Sequence, residues 1–113
     1  MKKDDSVRLR HMLDAAIKAV GFTSGKGLSD IESDEILGLA IVRLLEIIGE
    51  AAKSVSQSTR ERYQEIPWKQ IAGVRDRLIH GYYDVDHSIV WSIVTSDLPE
   101  LVVALKKALS EMS

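Results

Sequence analysis

Apolar residues recur along this chain at steps of three and four, the period of helices with a buried face. Leu9, Leu13, Ala16, Ile17 and Val20 make one stripe and predict a helix from Ser6 to Val20. Asp4, Asp5 or Ser6 can cap its start, and Gly21 marks its end. Phe22–Ser29, rich in Gly, Ser and Thr, reads as a loop. A second helix opens at Asp30 or Ser33 and runs to Val55. From Ile36 to Val55 its apolar set is too wide for one stripe, so it needs partners on more than one side, and a second copy of the chain is a candidate. Arg43, Glu46, Glu50 and Lys53 form a narrow charged strip on it.

A helical turn is expected over Thr59–Gln64, and Pro67 then opens a third helix to Ile79 with Trp68, Ile71, Val74 and Leu78 inward. Gly81 suits its C-terminal cap, and Tyr82–Asp86 reads as a break. A fourth helical stretch starts at Asp86 or Ser88 and buries Ile89, Val90, Ile93 and Val94. Pro99 either begins a new helix, capped by Ser96–Asp97, or kinks a continuing one; Leu101, Val102, Leu105 and Leu109 complete the last stripe. No strand-like alternation is present. Four main helices with short connections predict an all-α, up-and-down four-helix bundle, one domain over residues 1–113.

Composition narrows the function classes. With 15 Lys and Arg against 17 Asp and Glu the net charge is −2, which excludes a polycationic nucleic-acid coat. Any such contact needs a local patch, for which Lys2, Lys3, Arg8 and Arg10, or Arg60, Arg62 and Lys69, are candidates. The absence of Cys excludes disulfides, a thiol nucleophile and thiolate metal sites. No apolar run follows the basic start, so no signal peptide is expected, and Ile36–Ile48 is too short and too charged to span a bilayer. A soluble cytoplasmic protein without membrane association is the resulting expectation.

The candidate chemistry concentrates in Arg75-Asp76-Arg77-Leu78-Ile79-His80-Gly81-Tyr82. On a continuous helix Asp76 and His80 share a face, and Gly73 leaves that face open. His80 can move a proton near neutral pH, Asp76 can orient it, and Arg75 offers a fork of donors to a phosphate. Those parts suffice to cleave a phosphodiester next to a 2′-hydroxyl without a metal. The alternative is structural: a helix-end His acting as a cap, and an Asp–His surface pair.

Arg75-x4-His80-x-Tyr82 resembles the R-x4-H-x-Y motif of the HEPN superfamily, and of its HepT-like toxins in particular. The blocks 43–52, 65–73, 83–86, Val90-Trp91 and Leu98-Pro99 resemble family segments in the same order. The resemblance implies a helical bundle that forms a homodimer with a composite cleft, and a metal-independent ribonuclease acting on tRNA or mRNA. It implies catalytic roles for Arg75 and His80, with Asp76 beside them, and no cofactor. It also implies an antitoxin partner, a minimal nucleotidyltransferase of the MntA type, which transfers AMP to the motif tyrosine, here Tyr82. Tyr83 is a neighbouring hydroxyl that could serve instead. Asp76 stands where relatives often carry Asn, placing extra negative charge near the scissile phosphate.

Other signals have two readings each. His80, Asp84 and His87, with Asp86, resemble metal-ligand spacing, but the break at Gly81-Tyr82 spoils a shared face, and no metal site is expected. Glu46 and Glu50 either pair with Arg43 and Lys53 along their own helix or support catalytic side chains on a neighbouring one. Trp68 and Trp91 read as core, although a base-stacking role is conceivable by type. At the level of function, the alternative to a toxin ribonuclease is a non-catalytic helical subunit that binds a nucleotidyltransferase.

Overall fold

The computed structural model describes residues 3–80 and 84–112, and these are all-α apart from one two-residue ladder. Helix α1 spans Lys3–Phe22, longer at both ends than the apolar stripe required. Its buried side is Leu9, Met12, Ala15, Ala16 and Ala19, whereas Ile17 is 45% exposed. The inward face is therefore turned toward the alanines, whose small side chains let α1 lie close along its neighbours.

The expected second helix is divided. α2 covers Leu28–Ser33 and α3 covers Glu35–Lys53. Between them Asp34 leaves helical geometry (φ −99°, ψ 96°), and its carboxylate accepts from the Leu37 N–H at 3.1 Å, a new N-cap. α4, Gln57–Arg62, is the anticipated turn, begun by Ser56.

The third helix is also divided, into α5, Trp68–Ala72, and α6, Val74–Leu78, by non-helical backbone at Gly73. α6 stops at Leu78 because Ile79 is extended (φ −119°, ψ 121°). Ile79–His80 (β1) then pairs antiparallel with Asp84–Val85 (β2), Ile79 opposite Val85 and His80 opposite Asp84. This ladder corrects the strand-free expectation; at two residues a side it is too short to leave an alternating pattern.

α7, His87–Ser92, is capped by the Asp86 carboxylate, which accepts from the Ile89 N–H at 3.1 Å. It passes through a π-helical segment, Ile93–Asp97, into α8, Leu98–Met112. Pro99 therefore lies inside a continuing helix. It has no N–H and crowds the preceding turn, and the wider π turn accommodates both defects. By length and apolar composition the run His87–Met112 could cross a membrane, yet Val90, Val94, Leu98, Leu101, Leu105 and Ala108 are buried in the protein core, where α8 packs on α1.

α3 is central, lying against α1 on one side and α5 and α6 on another. At Gly49 the approach is closest: a Cβ there would sit 3.0 Å from Val74 Cγ1 and 3.1 Å from the Ile71 carbonyl oxygen. Only a residue without a side chain fits that contact unshifted.

A buried carboxylate clasps the start of α1 to α4. Asp5 is 1% exposed and accepts from the Ser56 N–H at 3.0 Å, the Ser56 hydroxyl at 2.5 Å and the Thr59 hydroxyl at 2.6 Å. Burial opposes its charge, but these hydrogen bonds, together with the nearby charge of Arg8, outweigh it and hold the carboxyl below its ordinary pKa. The stabilisation is fully present above the unfolded-state value near 3.9 and fades as pH falls through the lower folded-state value. Asp5→Asn is expected to cost about 1–3 kcal/mol at pH 7 and to lose this acid-dependent component. Urea unfolding of both proteins at neutral and acidic pH measures it; equal stability at pH 7 would show that the clasp carries none.

Candidate active site

Arg75 lies in the first turn of α6, on the side facing α3. Its Nε donates to Glu46 Oε2 at 3.3 Å, across 29 residues of sequence. The Arg75 side chain is 49% exposed and that of Glu46 25%. An ion pair this open to water stabilises the fold by no more than about 1 kcal/mol. Its consequence is geometric. Glu46 occupies the Nε edge of the guanidinium, and the two terminal nitrogens have no partner among the described residues. Those are the donors that form a bidentate contact with a phosphate.

Of the two readings of the acidic strip on α3, Glu46 follows the inter-helix one and Glu50 the local one, pairing with Lys53 at 3.7 Å. Sequence spacing alone could not separate them, because both glutamates have a basic residue within one turn.

The remaining motif residues divide differently. Asp76 is exposed on α6, and its carboxylate makes no hydrogen bond or ion pair among the described residues. The helical face it was expected to share with His80 does not exist, since α6 ends at Leu78 and the His80 backbone is extended in β1. The ladder sets that backbone: His80 pairs with Asp84, and the Asp86 N–H donates to the Leu78 carbonyl at 2.7 Å. The His80 side chain, and Tyr82 and Tyr83 entirely, lie outside the described residues. Asp84 is in β2 and His87 opens α7, so the spacing that looked like metal ligation is spread over three elements; no group of three His, Asp or Glu able to hold a metal occurs among the described residues.

The candidate basic path is partly structural. Arg60 caps the end of α3, its Nε donating to the Val55 carbonyl at 3.0 Å and a terminal nitrogen to that of Lys53 at 2.8 Å. The Arg62 guanidinium lies 5.5 Å from the Tyr63 ring centroid. Trp68 is half-buried, and its Nε1 donates to the Tyr63 carbonyl at 3.0 Å; Trp91 is half-buried against the core. The sequence reading missed the Asp5 clasp; a Ser-x-x-Thr stretch ahead of a basic turn was the available signal of a cap.

Comparison with known proteins places the chain in a family. The family model "Ribonuclease HepT-like" matches residues 12–108. The chain is 39% identical over 103 residues to "Putative RNase TTE0752" of Caldanaerobacter subterraneus subsp. tengcongensis, covering 91% of this chain and 92% of that one. It is 36% identical over 101 residues to "Probable ribonuclease HepT" of Thermococcus cleftensis, covering 89% and 92%. It is 37% identical over 112 residues to "Gamma-glutamylcyclotransferase and putative RNase MJ0434" of Methanocaldococcus jannaschii, covering 99% of this chain and 50% of that protein. No solved structure matches. The chain belongs to the HepT-like ribonuclease family of the HEPN superfamily.

Whether the Glu46–Arg75 contact matters to activity can be measured. Glu46→Gln keeps a hydrogen-bond acceptor but removes the charge, and Glu46→Ala removes both. RNA cleavage is expected to fall by roughly tenfold in the alanine variant and less in the glutamine variant, with melting temperature nearly unchanged, as loss of about 1 kcal/mol of orientation implies. Equal activity in wild type and both variants would show that Arg75 does not need Glu46.

Proposed function

We propose that this chain is a metal-independent endoribonuclease toxin of the cytoplasm, a single HEPN domain acting as a homodimer. The observation that carries the reading is Arg75, anchored by Glu46 at one edge with its terminal donors unengaged among the described residues, within Arg75-x4-His80-x-Tyr82 of a chain in a ribonuclease family. In the proposed reaction the 2′-oxygen attacks phosphorus and the P–O5′ bond breaks, giving a cyclic phosphate and a 5′-hydroxyl. His80 moves the proton, and Arg75 binds the phosphate and takes up charge developing on it. Asp76 stands next to this phosphate without taking a step in the transfer.

The dimer is supported by a feature of α3. Ile36 is 82% exposed and Leu39 63% exposed. Ile36 and Arg43 are seven apart on the helix, as are Leu39 and Glu46, so the apolar pair sits on the same side of α3 as the Glu46–Arg75 pair. A partner protomer covering Ile36 and Leu39 would lie alongside the guanidinium, which is what a composite cleft requires.

The proposed control is transfer of AMP by an MntA-type nucleotidyltransferase to Tyr82, with Tyr83 as the neighbouring hydroxyl. The tyrosine oxygen attacks the α-phosphorus of ATP and pyrophosphate leaves. The resulting phosphodiester puts negative charge beside Arg75 and His80 and repels the RNA backbone. The exposed carboxylate of Asp76, unpaired among the described residues, favours the second reading, a non-catalytic subunit that binds such a transferase, because it repels the same backbone.

Arg75→Ala and His80→Ala are each expected to lower RNA cleavage by about 10²-fold or more and to abolish growth arrest on expression, with cleavage by wild type surviving a chelator. No cleavage and no arrest by wild type would establish the non-catalytic reading instead. Ile36→Glu with Leu39→Glu is expected to give a folded monomer by sedimentation and circular dichroism, with cleavage lost. A dimer persisting in that variant would remove this face from the interface.

A further inference from the structure

Behind α6, on the side away from Glu46, the core opens into a cavity of about 230 Å³. Its walls are buried apolar side chains from separate elements: Leu45 and Ile48 of α3, Ile71 of α5, Ile93 of the π segment and Leu101 of α8. That space is smaller than a pocket for a drug-sized ligand, roughly 300–1,000 Å³, and suits one compact ring or branched chain.

The charges at its mouth have a sign. Glu65, Asp97 and Glu100 border it, against the single guanidinium of Arg77. None of these four side chains makes a hydrogen bond or ion pair among the described residues, so no direct contact pairs the carboxylates with Arg77. The two acidic residues at 97 and 100 flank the junction where the π turn passes into α8, and the π turn is what widens the helix beside the cavity. An apolar floor under a rim rich in carboxylates selects a molecule that is apolar at one end and cationic at the other.

We propose that this cavity is a binding site for a small organic cation, an ammonium group carried on a compact apolar body. The body fills the hollow against Ile71, Ile93 and Leu101, and the ammonium meets Asp97 and Glu100. The occupant would touch Arg77, on the reverse of the short helix that presents Arg75, since residues 75 and 77 are about 200° apart on α6, and it would also touch Val74. The binding claim is independent of the ribonuclease reading, because its readout is a spectrum of the protein and not cleavage.

The experiment is a titration of methyl-labelled protein with phenethylammonium and, as the anion with the same ring and two-carbon spacer, 3-phenylpropionate. Saturable shifts of the Ile71, Ile93 and Leu101 methyls are expected with the cation at millimolar concentration, and affinity about tenfold weaker or worse with the anion. Ala104→Phe, which fills the cavity from α8, is expected to abolish the shifts. Asp97→Asn with Glu100→Gln, on the exposed rim, is expected to bring cation and anion to equal affinity while the fold is kept. No saturable shift with the cation, equal affinity for the two probes in wild type, or unaltered binding in the rim variant would each overturn the proposal.

Discussion

The arrangement of this molecule depends on how closely α3 meets the α5–α6 pair at Gly49. A Cβ at that position would press on both the Val74 side chain and the Ile71 carbonyl. Without one, α6 is held against α3 one turn from Glu46, and a carboxylate in the middle of a long helix reaches the guanidinium of a helix only five residues long. So short a helix has little stability of its own. Its position is set by Val74 and Leu78, both buried, and by the ladder that follows. The Glu46–Arg75 bond is thus a result of packing, and its effect is to aim a donor fork rather than to hold the fold.

Gly73 and Ile79 delimit this helix, and both boundaries matter to the chemistry. Had the helix run on to Ile79, His80 would follow Asp76 by one turn and the two would form a local pair. The chain instead turns extended before His80, which removes the histidine backbone from the helix and separates it from Asp76 in the local geometry.

Most of the fold was legible in the apolar period. The helices and the cap at Asp86 follow from spacing and from residues with few conformational choices, whereas the two readings of Pro99 were decided only by the π turn that carries α7 into α8. What was not legible came from contacts between elements. Ile17 fits the stripe of α1 as well as Met12 or Ala15, and only the neighbours decide which side is inward. The break at Asp34 falls in the polar stretch Glu32–Glu35, where two helix starts were open, and the break at Gly73 interrupts an apolar stripe that looks continuous. At the site, the motif identified Arg75 and His80 by type and spacing. The partner of Arg75 is 29 residues away, and nothing in one sequence distinguishes Glu46 from Glu50.

The account rests on the terminal nitrogens of Arg75 meeting a phosphate while Nε stays on Glu46. Nitrogen-15 spectra of the Arg75 guanidinium, recorded during titration with a 2′-deoxy oligonucleotide that cannot be cut, test it most directly. The account predicts saturable shifts and slowed exchange at the terminal N–H groups, with the Nε–H signal changing little in wild type and lost to fast exchange in Glu46→Ala. Terminal N–H signals unmoved at saturation would contradict it.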